Sequence, residues 1–120
     1  MRGAVLPRIG RRQIRVSWRR YDPRRQARRS VRFTWDPQKE SINRRKHGVD
    51  FREASSVFGD ALSTTFPDPG HSHGEERYVT IGLSRRGLIL MVAHLDTGLA
   101  IRIISARRAT KSERSFYEQG

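Results

Sequence analysis

Apolar residues recur along 31–120 in two different rhythms. In VRFTW, Val31, Phe33 and Trp35 alternate with Arg32 and Thr34, the period of a strand. Asp36-Pro37 then has the form of a helix start. Aspartate accepts free backbone N–H groups at an N-cap, and proline fits the first helical position. The helix is expected to run to Lys46 or His47 and to end at Gly48, which tolerates the left-handed conformation. Its one strongly apolar residue is Ile42, so it should lie over the core with a mostly wet surface. A second helix follows at once. Asp50 and Glu53 have capping-box spacing, Val49 is placed to staple onto Ala54, and Phe51, Ala54 and Phe58 recur at helical intervals up to Gly59-Asp60.

Beyond it the rhythm becomes that of strands. ALSTTF (61–66) precedes a polar loop, PDPGHSHGEE, and then RYVTIGLS, LILMVAHLD and AIRIISARR follow with short turns at RRG and TG. Such spacing predicts an antiparallel meander, and the continuous apolar run Leu88–Ala93 predicts a central strand covered on both sides. Thr110 and Glu113 repeat the capping-box spacing before a short helix that carries Phe116 and Tyr117. The expected order is β-α-α-β-β-β-β-α. This is an α+β domain: a small antiparallel sheet with two helices near its start and a short one at its C-terminus.

Charge divides the chain differently. Residues 1–32 carry 12 arginines against the single acid Asp22, a balance of +11. Residues 33–120 carry 13 Lys+Arg against 11 Asp+Glu, a balance of only +2. The folded part must therefore attract a partner through local arrangement of charge. Residues 1–30 contain two prolines and no sustained periodicity, so they are expected to be a disordered extension. They read as a phosphate-binding arm, as a targeting segment, or as sequence upstream of the true start. The last reading rests on their basic residues all being arginine, as GC-rich codon bias produces. Cysteine is absent, which excludes disulfides and thiolate metal sites and fits a cytoplasmic location. No apolar run is long enough to span a bilayer.

Three phrases, FTWDPQKESINRRKHGVDFREASSVF, EERYVTIGLS and IRIISARRATKSERSFYE, together resemble the BrnT family of bacterial type II toxins. The likeness covers roughly 33–118 and excludes the arginine-rich start. It implies a RelE-like fold, RNA cleavage that inhibits translation, and neutralisation by a cognate DNA-binding antitoxin. Through that complex, and only through it, the protein would reach operator DNA. No cofactor is implied.

Metal-free RNA cleavage needs a base for the 2′-hydroxyl, an acid for the leaving 5′-oxygen, and donors for the charge on phosphorus. His47 is the first proton-transfer candidate, because histidine is the residue type that exchanges protons near neutral pH. Lys46 beside it offers a phosphate-binding charge or, if buried, a second proton carrier. Both also suit a helix C-terminus for stability alone, where the macrodipole favours cations. Arg77 and Arg102 lie in strands and present forked donors suited to phosphate oxygens. The simpler reading of Arg77 is a rim salt bridge to Glu75 or Glu76. By alternation, Arg102 is expected to share a face with Ile104 and Ala106, opposite Ile101, Ile103 and Ser105.

Ser105, Arg107 and Arg108 are placed to bind the RNA backbone or simply to precede the last helix. Tyr78, Tyr117 and Trp35 offer rings for base stacking, although core packing is the commoner use of such residues. Glu113 reads as a cap rather than a base. His71 and His73 near Asp68 suggest a metal loop, but the spacing is loose and an exposed polar loop is the better reading. Two alternatives to the nuclease stand: a non-catalytic RNA- or DNA-binding module, and a degraded toxin acting only as an antitoxin partner.

Overall fold

The computed structural model describes residues 32–68 and 76–119. The arginine-rich segment 1–30, Val31 and the loop holding His71 and His73 lie outside them. The elements are β1 (Arg32–Thr34), α1 (Pro37–His47), α2 (Phe51–Ser55), a 3-10 turn (Ser56–Gly59), β2 (Thr64–Pro67), β3 (Arg77–Leu83), β4 (Ile89–Asp96), β5 (Ala100–Arg108) and α3 (Lys111–Glu118). Asp36 caps α1 by accepting the Gln38 N–H at 2.9 Å, and Gly48 ends it at φ 73°.

The five strands form one sheet in the order β1-β5-β4-β3-β2. The chain from β2 to β5 makes the expected meander, with β4 at the centre. The sheet as a whole is mixed, however, not antiparallel, because β1 pairs parallel with β5, Arg32 opposite Ala100 and Thr34 opposite Arg102. Short turns reveal only pairings between consecutive strands. The partner of β1 lies near the other end of the domain, where no local pattern reports it.

One face of the sheet is packed under α2 and the 3-10 turn. Phe51, Ala54, Val57 and Phe58 bury there against Leu90, Val92, Ile101, Ile103 and Ala106. Phe33 of β1 and Trp35 just beyond it close this core, with Phe33 tilted 5.4 Å from Phe58 and Trp35 edge-on to Phe51 at 6.0 Å. On the opposite face Phe116 and Tyr117 of α3 cover Phe66, Ile81, Val79, Ile89 and Met91. The central strand is therefore apolar on both sides, as its sequence requires. The Tyr117 hydroxyl donates to Asp60, which fastens α3; burial and then Asp60 push this phenol up to about 12.

Two local expectations fail for tertiary reasons. Asp50 does cap α2, accepting the Glu53 N–H at 2.7 Å, but the buried Glu53 carboxylate does not reach back to complete a box. It accepts instead from Ser84 Oγ at 2.8 Å, with Arg86 at 3.8 Å, and so ties α2 to the β3–β4 turn. Ile42, expected to anchor α1, is 51% exposed, and the residue of α1 that is buried is Asn43.

Gly82 marks the closest approach between β3 and the 3-10 turn. A Cβ there would stand 3.0 Å from Ser63 Cβ and 3.1 Å from the Val57 carbonyl oxygen. Gly82→Ala is expected to cost about 1–3 kcal/mol through overpacking, read as a lower urea midpoint. An unchanged midpoint would show that the turn gives way freely.

Candidate functional site

Strand register fixes which side chains share a face, because cross-strand partners point the same way. Arg77 pairs with Leu95, Leu95 with Arg102, and Arg102 with Thr34. These four residues make one row across four strands, on the face that α3 covers only further along. The backbones of Arg77 and Arg102 are two strand spacings apart, roughly 10 Å, with Leu95 between them.

A bulge in β5 enlarges this group. Ala93 pairs with Ser105 while His94 pairs with Ile103, so Ile104 is the extra residue and alternation shifts by one. Ser105 and Arg107 therefore join Arg102 on the arginine face, while Ala106 joins Ile101 and Ile103 in the core. The strict alternation expected from sequence, with Ser105 opposite Arg102, is corrected by that residue.

The candidate residues differ in what already holds them. Arg102 is exposed, and no described residue offers its side chain a hydrogen bond or ion pair. Arg77 is half-buried, its Nε lies 4.0 Å from Asp68 rather than near Glu76, and that nitrogen makes no hydrogen bond. Arg107 is committed. It forks onto Glu113 at 2.9 and 3.0 Å, and the hydrogen bond to Glu113 raises its pKa. Burial pushes the Glu113 carboxyl up, but the Arg107 fork and Thr110 outweigh it and hold this group below the ordinary range. Glu113 also completes the capping box with Thr110, so it serves the fold, as expected.

Tyr78 lies on the other face. Its hydroxyl donates to Glu76 at 2.6 Å and its ring stacks on His94 at 6.0 Å. Arg108 pairs with Leu90 and is exposed at the strand end. Trp35 and Tyr117 are engaged in packing, as noted above. Lys46 and His47 are exposed in the last turn of α1, and neither has a bond to the arginines. They stand three and four residues beyond Asn43, whose side chain is bonded to Ala106. Residues at those intervals share a helix face. Lys46 and His47 therefore lie on the side of α1 turned toward β5, one turn, about 5.4 Å, past the anchor.

The family model described as "Ribonuclease toxin, BrnT, of type II toxin-antitoxin system" matches residues 35–113. The chain belongs to the BrnT family. Among solved structures it is similar to the Brucella abortus ribonuclease toxin BrnT, with a TM-score of 0.53 and 26% identity over 68% of this chain and 99% of that one. No curated protein matches the chain. The family match runs from Trp35 to Glu113 and spans Lys46 through Arg108.

Two residues of this BrnT-family domain were missed by reading the sequence. Asn43 is buried in an otherwise wet helix, and a lone amide one turn before KHG was the available signal. His94 is fully buried under Phe58, edge-on at 4.9 Å. Its Nε2 shares a hydrogen bond with Thr80 Oγ1 at 2.8 Å, which in turn bonds Thr65 Oγ1 at 2.7 Å. Burial lowers its pKa to about 3, so at neutral pH it is an uncharged core residue and no acid catalyst. A histidine in phase with Leu90 and Val92 was legible as core-facing.

Proposed function

We propose that this toxin is a metal-independent endoribonuclease of RelE-like fold that inhibits translation in the cytoplasm. A cognate DNA-binding antitoxin neutralises it and links it to operator DNA. The observation that carries this reading is the row Arg77–Leu95–Arg102–Thr34, two arginines flanking one strand on the part of the sheet face beyond the α3 contacts. Forked guanidiniums so placed suit the oxygens of a phosphodiester and the extra charge of its transition state.

In this mechanism the ribose 2′-oxygen attacks the adjacent phosphorus as a base removes its proton. The bond to the 5′-oxygen then breaks and that oxygen takes up a proton, which leaves a 2′,3′-cyclic phosphate and a free 5′-hydroxyl. RNA supplies its own nucleophile, so DNA is spared. Arg77 and Arg102 hold the phosphoryl oxygens. His47 and Lys46 are the proton-transfer and charge-bearing groups at the α1 end. Ser105 extends the backbone track on the face of Arg102, whereas Arg108, paired with Leu90 on the opposite face, would meet RNA only at the strand end. Arg107 and Tyr78 serve the fold first through Glu113, Glu76 and His94.

The test is incubation of the full chain, free of antitoxin, with RNA in excess EDTA. Fragments ending in 2′,3′-cyclic phosphate are expected. Folded protein that binds RNA in a salt-sensitive manner but leaves it intact would replace this reading with the non-catalytic one.

A further inference from the structure

Helix α1 reaches the sheet by an unusual route. Its side chains offer no apolar anchor, since Ile42 is 51% exposed and the buried residue is Asn43, at 6% exposure. The Asn43 amide takes the place of a missing strand. Its Oδ1 accepts the Ala106 N–H at 3.1 Å, while its Nδ2 donates to the Ala106 carbonyl at 2.8 Å and to the Val49 carbonyl at 3.0 Å. β1 pairs with β5 only as far as Arg102, so these groups of Ala106 lie on an edge that would otherwise go unpaired. The amide cannot be reversed, because that would set its NH2 against the Ala106 N–H. Glu40 adds one longer bond, accepting the Phe51 N–H at 3.4 Å, but that joins α1 to α2 and not to the sheet.

Apolar contact is non-directional, whereas a two-point amide contact fixes both where a helix sits along a strand and how it is rotated. Ala106 lies two residues past the β5 bulge at Ile104, between Ser105 and Arg107. Lys46 and His47 follow Asn43 by one turn on the same side of α1. One amide therefore sets the register between the two groups of site residues, those on α1 and those on β5. Resting on the nuclease reading above, we infer that Asn43 is a positioning residue of that site, fixing where the α1 turn that carries Lys46 and His47 sits along the strand that carries Arg102 and Ser105.

A merely structural asparagine would lower stability and leave the chemistry of the folded fraction alone. A positioning one acts through Lys46 and His47. The experiment is a double-mutant cycle in the full chain, with kcat and KM for RNA cleavage measured well below each variant's melting temperature. Asn43→Ala is paired once with Lys46→Ala/His47→Ala and once with Arg77→Ala. Asn43→Asp, which keeps the size and the acceptor but loses both donors, serves where the alanine variant does not fold.

The expected result is a fall in kcat of about 100-fold with KM little changed, the scale of a small misplacement of reacting groups. That fall should vanish in the Lys46→Ala/His47→Ala background and persist in the Arg77→Ala background. Folded Asn43 variants with parental kcat, or equal effects in both backgrounds, would overturn the inference while the nuclease reading stood. A parent chain that cleaves no RNA would remove the nuclease reading and the inference with it.

Discussion

Arg102→Ala is expected to lower kcat for RNA cleavage by about 100- to 1,000-fold, the usual cost of removing one preorganised donor to a charged transition state. The protein should melt where the parent does. Arg102 is exposed on β5, and no described residue depends on its side chain for a hydrogen bond or ion pair. Its loss therefore leaves no buried group unsatisfied, and surface substitutions of this kind change stability by about 0.5 kcal/mol or less. Arg102→Lys should recover only part of the rate, because an ammonium keeps the charge and loses the fork. Arg77 is a less clean probe, since its half-buried side chain lies 4.0 Å from Asp68 and its removal would break that ion pair as well. A folded Arg102→Ala protein that cleaves RNA at the parental rate would take the row of arginines out of the mechanism.

The second large effect concerns stability and pH. His94 is buried and uncharged, with a pKa of about 3 in place of the ordinary 6.5 because burial disfavours the imidazolium. Above pH 6.5 the residue is neutral in both folded and unfolded chains and makes no difference. Below it the unfolded chain takes up a proton that the folded one refuses, so stability falls as the pH drops. The fall continues to about pH 3, where the folded ring is protonated too. One such proton is worth about 1.4 kcal/mol per pH unit, or about 2 kcal/mol between pH 6.5 and 5.

Urea unfolding of the parent and of His94→Gln at several pH values isolates this contribution, since glutamine does not titrate. The parent should lose the additional 2 kcal/mol or so across that interval, before most carboxylates begin to protonate. Parallel losses in the two proteins would show that the folded ring accepts its proton near the ordinary pH.

The element order, the caps at Asp36, Asp50 and Thr110, the left-handed ending at Gly48 and the apolar central strand were all legible in the sequence. Each depends on neighbours within one or two turns, and the physics that selects it acts over the same range. The family phrases pointed to the same domain, and the match over 35–113 supports them. Residue type also marked Arg77, Arg102 and His47 as chemically capable groups.

Their arrangement was another matter. The bulge at Ile104 is invisible to alternation, yet it decides that Ser105 and Arg107 share the face of Arg102. The parallel pairing of β1 with β5 sets Thr34 at the end of the arginine row, across most of the domain's length. Glu53 looked like half of a capping box until Ser84 claimed its carboxylate, and Arg107 looked available until Glu113 did. Asn43, a mid-helix polar residue by pattern, became the anchor of α1 because a free strand edge lay within reach. The sequence by itself determined the local elements and the chemistry on offer. Which side chains meet was decided only by the tertiary structure, because hydrogen bonds and ion pairs form between whatever groups folding brings within about 3 Å, however far apart they lie along the chain.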